Sequence, residues 1–401
     1  MAEAMEICEN DAVTSIPESP LSSQEEENGM QSWKGAPFHE LKKHAKLKCH
    51  LKNTKVFVQF NDWSKPHPQK RKDLWDNHHV RLPCSNFSEF PKNGRIVKRW
   101  NLVRQALNQP ILESQALIQA ILEYNKVDRW NFDGLKYFLD EYLSVSEKSA
   151  FYDVILPKMI EISLALPEVL SQSVPLLKRG TNQKITLSQS QICSLLANAF
   201  FCTFPNRNSR ARRSQYSNYP SINFNGLFGL YNLSRKESQM EKLKCLINYF
   251  RRRIDGMAGQ SLVTFSRRCL SYERMPMWEH SENLFTKLRV DVNGTIEDPE
   301  NQGMLEVDFA NAFVGGGVIG QGCVQEEIRF IICPELIVSR LFTERLNDNE
   351  VLIIHGFERY SDYTGYASNF KFQRDHRYTP LDKNQDRFPT TLVSMDALHF
   401  R

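Results

Sequence analysis

The chain has no long hydrophobic run. Its longest apolar stretches, such as residues 351–354, fall far short of the roughly 18 residues a membrane-spanning helix needs. It has no C-x-x-C pair among its nine cysteines, Cys8, Cys49, Cys84, Cys193, Cys202, Cys245, Cys269, Cys323 and Cys333. The number is odd and several lie in apolar helical text, which argues for reduced, buried thiols over a disulfide framework or a zinc site. Charge of one sign is also scarce: the formal net charge is +4, too small to mark a nucleic-acid binder from bulk charge. Residues 1–10 are acidic and lack an apolar core, so no secretory signal is expected. No internal repeat appears. These absences point to a soluble, intracellular protein.

What the chain does have is a core. Its 401 residues allow two or three domains, and 41% apolar with 11% aromatic residues suits globular folding. Residues 1–66 are polar, then basic. Up to about residue 35 the text is rich in Ser, Glu, Asn and Pro and is expected to be disordered. Basic runs at 42–48 and 65–72 read first as solvated charge and second as a nuclear import signal. Residues 67–255 read as an all-helical accessory domain. Apolar faces recur at helical spacing through Trp100, Val103, Ala106 and Leu107, then Leu117, Ile118, Ile121 and Leu122, then Phe132, Leu135, Phe138 and Leu139. Residues 188–201 and 240–250 give two more helices.

From residue 256 to 401 the pattern becomes strands alternating with helices, an α/β (α+β) arrangement. Strands are expected near 261–266, 287–292, 304–309 (fully buried), 351–354 (central, covered on both faces) and 391–397, with a helix over 325–345.

One stretch carries chemistry. Leu305-Glu306-Val307-Asp308-Phe309-Ala310-Asn311 reads as a strand, Gly315-Gly316-Gly317 as a glycine-rich loop, and Gln325-Glu326-Glu327-Ile328 as a helix start. Consecutive glycines let backbone N–H groups approach a ligand, and a loop feeding a helix N-terminus is a natural diphosphate cradle. The loop reads as a phosphate-binding type distinct from the P-loop and from the Rossmann fingerprint. Adjacent glutamates on a helix point about 100° apart, so Glu326 and Glu327 are not expected to flank a sugar as an ordinary glycosidase pair does. By themselves they fit two readings equally: groups that satisfy the first helical turn, or a catalytic acid that burial or a substrate oxygen would have to protonate.

The run VDFANAFVGGG…VQEEIRF resembles the signature of the poly(ADP-ribose) glycohydrolase family. Lys72-Asp73-Leu74-Trp75-Asp76-Asn77, the text from Leu195 to Pro205, and Tyr360-Ser361-Asp362-Tyr363-Thr364-Gly365-Tyr366 are similar to that family as well. The resemblance implies a macrodomain-type mixed sheet preceded by the helical domain. It also implies hydrolysis of the ribose–ribose O-glycosidic bonds of poly(ADP-ribose) to release ADP-ribose. Glu327 matches the general acid, Glu326 the residue that positions the adjoining ribose, and Asp308 a further member of the catalytic set. Ile296 and Glu297 match an adenine-contacting pair, and Asn311 and Gln325 match ribose or phosphate contacts. Gly315, Gly316 and Gly317 match the diphosphate loop, and Tyr366 a residue that closes over the ligand. No metal or cofactor is implied. The partners implied are the polymer and ADP-ribosylated proteins, with no membrane and no sequence-specific nucleic-acid binding. The chain is expected to act as a monomer in nucleus and cytoplasm.

Family chains continue beyond the equivalent of Arg401 with a second glycine-rich loop. The macrodomain is therefore expected to be C-terminally incomplete and its diphosphate clamp weakened. That leaves an alternative in which this chain is a catalytically inactive short form that binds ADP-ribose or a protein partner.

Overall fold

The computed structural model describes residues 73–125, 130–170, 172–205, 216–255, 261–284, 288, 290–298, 301, 303–376 and 388–397, with three short strands before them. The expectations for residues 1–66 therefore lie almost wholly outside the described residues, as does the basic run at 42–48.

A mixed sheet forms the centre of the α/β region. Its strands are β1 (Gln183–Ser188), β2 (Leu262–Cys269), β3 (Leu305–Ala310), β4 (Glu350–His355) and β7 (Thr391–Asp396), in the spatial order β1-β2-β4-β7-β3. Ser32–Lys34 adds a parallel segment outside β1. The β1-β2, β2-β4 and β4-β7 pairs are antiparallel and β7-β3 is parallel. A separate hairpin, β5 (Ser361–Thr364) with β6 (Lys371–Asp375), projects from the region after β4.

The helices form where the apolar spacing places them. Arg99–Leu107 buries Val103, Ala106 and Leu107; Ser114–Leu122 buries Leu117, Ile118 and Ile121. Helix α1 (Gln189–Phe200) starts at Ser188, whose hydroxyl accepts from Gln191 N while Gln191 Oε1 accepts from Ser188 N. This reciprocal cap satisfies two of the N–H groups that a helix start leaves open. Helix α2 (Lys236–Ile254) buries Met240, Leu243, Leu246, Tyr249 and Phe250. Helix α3 (Gln325–Ile332) follows the glycine-rich loop.

Five expectations change. The helix read over 325–345 breaks at Cys333 and continues as a 3-10 segment, Pro334–Leu341. Pro334 has no N–H to donate and its ring clashes with the preceding turn, which ends α3. In the strand read over 287–292, the described residues Leu288, Val290, Asp291 and Val292 form no strand. Strand β3 is not covered on both faces, because it lies at the sheet edge with Leu305 and Phe309 exposed. β4 is central as expected, yet only alternate residues, including Leu352 and Ile354, are fully buried. Finally, the segment read as all-helical contributes β1 to the sheet and a hairpin, Glu89–Lys92 with Arg95–Lys98.

The core is shared. One hydrophobic cluster runs from Val80 and Leu117 in the helical region through Leu196, Phe200 and Tyr249 to Ile328, Leu352 and Leu392. Seven described cysteines are free, and all but Cys269 are buried. No described helix is long and apolar enough to cross a membrane.

Candidate active site

Strand β3, the loop after it and the start of α3 bring the predicted residues to one place. Asp308 points into the core from β3 and is wholly buried. Its Oδ2 accepts from Ser394 Oγ of β7 at 2.7 Å, and its Oδ1 has no hydrogen-bond partner. Glu326 accepts from Asn311 N at 3.1 Å and Gly315 N at 2.6 Å. Glu327 accepts from Gly317 N at 2.8 Å and Val324 N at 2.9 Å. Of these four amides, only that of Val324 belongs to the helix start. Three of the four amides belong to the loop, and through Val324 N, the N-cap of α3, Glu327 also caps the helix start.

Helical neighbours diverge at Cα, but the flexible stems bring these two carboxylates back together. A Cβ on Gly316 would fall on oxygens of both Glu326 and Glu327, so both heads converge on that glycine. Gly315 and Gly316 have φ of +85° and +43°, which a side chain opposes. Here glycine is needed twice, for conformation and for approach.

Residues 315–320 do satisfy the string G-x-G-x-x-G through Gly315, Gly317 and Gly320, so the Rossmann fingerprint is present as a pattern. The structure separates the two loops. Helix α3 begins only at Gln325, beyond the last of these glycines, and carries Glu326 and Glu327 in its first turn.

Electrostatics follow from burial. Among the described residues no cation hydrogen-bonds to Asp308, Glu326 or Glu327. Burial, reinforced by Asp308, pushes Glu326 up to about 9, and burial, opposed by the Ser394 hydrogen bond and reinforced by Glu327, pushes Asp308 up to about 7. The helix N-terminus favours the ionised form but is outweighed by desolvation. The raised values of Glu326 and Asp308 keep protons on that pair at neutral pH.

The remaining predicted residues sit around this centre. The Gln325 amide lies along the free edge of β3, donating to Val307 O at 3.0 Å and accepting from Phe309 N at 3.0 Å. Asn311 uses its own Oδ1 to accept from Phe313 N, and its side chain is exposed. Glu297 faces Arg359 at 3.8 Å, beside Tyr363 of β5, while Ile296 is partly exposed next to it. Tyr366 stands at the tip of the β5-β6 hairpin, exposed and flanked by positive φ at Gly365 and Ala367. It makes no hydrogen bond to either glutamate. No group of His, Cys, Asp and Glu able to hold a metal occurs among the described residues.

Three contributors had no signal in the sequence. Ser394 is one residue of an alternating strand. Arg340, in the 3-10 segment, donates to Val314 O and Gly316 O, each at 3.0 Å. Lys242 of α2 donates to the carbonyls of Gly317, Gly320 and Gly322 at 3.3, 2.9 and 2.6 Å.

Comparison with known proteins agrees with this arrangement. Residues 143–267 match the family model of the poly(ADP-ribose) glycohydrolase helical domain, and residues 275–401 match the model of its macro domain fold. Poly(ADP-ribose) glycohydrolase 1 of Arabidopsis thaliana is 36% identical over 296 residues, which are 69% of this chain and 52% of that protein. Probable poly(ADP-ribose) glycohydrolase 2 of the same plant is 33% identical over 66% of this chain and 54% of its own length. Poly(ADP-ribose) glycohydrolase 2 of Caenorhabditis elegans is 30% identical over 79% and 64%. The chain thus spans about half the length of the two plant relatives. Two matched domains in sequence order, with the buried carboxylate cluster in the second, place the chain in the poly(ADP-ribose) glycohydrolase family.

Proposed function

We propose that the chain hydrolyses the ribose–ribose bonds of poly(ADP-ribose), releasing ADP-ribose, and that it acts on polymer and ADP-ribosylated proteins in the nucleus and cytoplasm as a monomer. The observation that carries the reading is the convergence of two buried glutamates on a glycine loop with no cation bonded to them. Such a cluster places two carboxyl groups at a loop where a sugar oxygen could meet one of them.

In this reading Glu327 is the acid. Two backbone N–H groups, those of Gly317 and Val324, fix the orientation of its carboxyl. It protonates the departing ribose oxygen as positive charge develops on the sugar, and the resulting carboxylate takes a proton from the attacking water. Glu326 holds the neighbouring ribose hydroxyl. Asp308 supports the cluster from behind the loop, its carboxyl held by the Ser394 hydroxyl. Gly315, Gly316 and Gly317 offer backbone to the diphosphate. Ile296 and Glu297 receive the adenine, Asn311 and Gln325 the ribose and phosphate, and Tyr366 closes over the ligand from its hairpin.

The test is Glu327→Gln. Labelled polymer should be cleaved at least about 100-fold more slowly, since a positioned acid contributes about 100- to 10,000-fold. Calorimetry should show ADP-ribose still binding. Near-normal turnover by this variant would remove Glu327 from the reaction. Binding of ADP-ribose by the unaltered chain without any cleavage would favour the alternative of an inactive binding form.

A further inference from the structure

The glycine loop is held from outside its own domain. Lys242 lies in α2, within the part of the chain that matches the helical-domain model, yet its ammonium reaches three carbonyls of the loop in the macro-domain part. An ammonium has three donors, and all three are used. Gly317 is the link: its carbonyl accepts from Lys242 while its N–H donates to Glu327. The same carbonyl accepts from Gly320 N and Gly322 N, closing the loop into a tight turn. Gly322 then lies so close that an added Cβ would reach 2.6 Å from Glu327 Oε1.

We propose that Lys242 is a positioning residue for the reaction, through which the helical region fixes the loop that aims the Glu327 carboxyl. This rests on the reading of Glu327 as the acid.

A buried lysine without a carboxylate on its ammonium is a costly choice for mere packing. An apolar side chain of similar length would fill the same space without desolvating a charge. Lys242 is 1% exposed, and burial pulls its pKa down to about 8, with Glu327 and Cys323 opposing and Arg340 adding to the fall. What the charge secures is a conformation. Without it the carbonyls of Gly320 and Gly322 would turn to water, and Gly317 N–H would no longer be held against Glu327. Arg340 grips the other end of the loop, at Val314 and Gly316, so Lys242 governs the half that carries Gly317 to Gly322.

The experiment compares the full chain with Lys242→Met and Lys242→Arg. Hydrogen exchange in the peptide spanning 315–324 should quicken about 10-fold in Lys242→Met, with no comparable change in peptides from α1 or β4. On polymer, kcat should fall about 100-fold while KM moves less than about threefold, as expected when a small misplacement spoils attack geometry without removing binding contacts. Lys242→Arg keeps the charge on a planar head that cannot meet three carbonyls as a tripod, and its kcat should lie between the two. A purely structural lysine would speed exchange throughout the molecule or leave kcat unchanged. Wild-type kcat in both variants, or in Lys242→Arg if the methionine variant does not fold, overturns the proposal. If the unaltered chain cleaves no polymer, the catalytic reading fails instead, and loop exchange alone then decides whether Lys242 clamps the loop.

Discussion

Two groups of buried carboxylates among the described residues are built on opposite principles. In one, Glu335 and Glu358 meet between α1, α2 and the 3-10 segment. Arg252 bonds Glu358 at 2.5 Å, Tyr360 donates to Glu335 at 2.6 Å, and Gln189 Nε2 reaches both acids and the tyrosine. Arg253 adds its own bond to Gln189. In the other, Asp308, Glu326 and Glu327 receive only backbone amides and one serine hydroxyl, and one oxygen of Asp308 receives nothing. Burial raises carboxyl pKa values in both: Glu335 goes up to about 7 and Glu326 to about 9. The first group joins helical region to sheet with its charges matched. The second keeps an unmatched demand for charge, which a substrate carrying developing positive charge would meet. The two groups thus differ in their partners, arginine and tyrosine side chains in the first and loop amides with one hydroxyl in the second.

The largest effect that would break this contrast is at Gly316. Gly316→Val should lower ADP-ribose affinity by at least about 100-fold in calorimetry. The side chain would land on both glutamate heads and could not adopt φ +43° without strain. Unchanged affinity would mean that the loop does not hold the ligand. The matched cluster should respond differently. Arg252→Met leaves Glu358 buried without its cation, and should cost about 3–5 kcal/mol in chemical denaturation. The fraction still folded should bind ADP-ribose normally, because the site's own hydrogen bonds are untouched.

Much of this was legible in the sequence, and the reasons differ by element. Helical spacing placed Arg99–Leu107, α1 and α2 because their apolar faces meet one continuous core. The VDFA…GGG…QEE run gave strand, loop and helix start in the right order because each is local chemistry. The break at Cys333 is legible in Pro334, which cannot continue the helix. The exposure of Leu305 and Phe309 was not readable, since apolar text does not say whether a strand lies at the centre or the edge of a sheet. Lys242 was the most hidden. In sequence it is one of two lysines in Glu241-Lys242-Leu243-Lys244, and only the fold shows that one is buried against a loop some 75 residues away.

A smaller effect sharpens the unmatched cluster itself. Asp308 has a folded pKa near 7 against 3.8 for a free side chain. The native state therefore binds more protons than the unfolded chain between those values, and stability must fall as pH rises across that window, levelling off above it. Asp308→Asn removes this titration. Relative to the unaltered chain, the variant should gain about 1–3 kcal/mol on moving from pH 4 to pH 8, read by urea unfolding at each pH. A constant difference across the range would mean that Asp308 is ionised in the native state with compensation that its surroundings do not show.

The smallest expected change lies at Ser394, the one side chain among the described residues that donates to the cluster. Its hydroxyl sits 2.7 Å from Asp308 Oδ2 and is itself fully buried. The bond favours the ionised carboxylate and so pulls the Asp308 pKa down against the rise caused by burial. Ser394→Ala should let that pKa climb further, because nothing else in β7 can donate to it. A hydrogen bond to a charged group is worth more than one to a neutral group, so the loss must depend on pH. At pH 8 the variant should be about 1–2 kcal/mol less stable than the unaltered chain, and at pH 4, where Asp308 carries its proton in the native state, about 0.5 kcal/mol or less. The two unfolding curves should converge as the pH is lowered. Parallel curves would show that the serine only fills space between β7 and β3. A loss confined to high pH would show that this one hydroxyl stabilises the ionised form of Asp308.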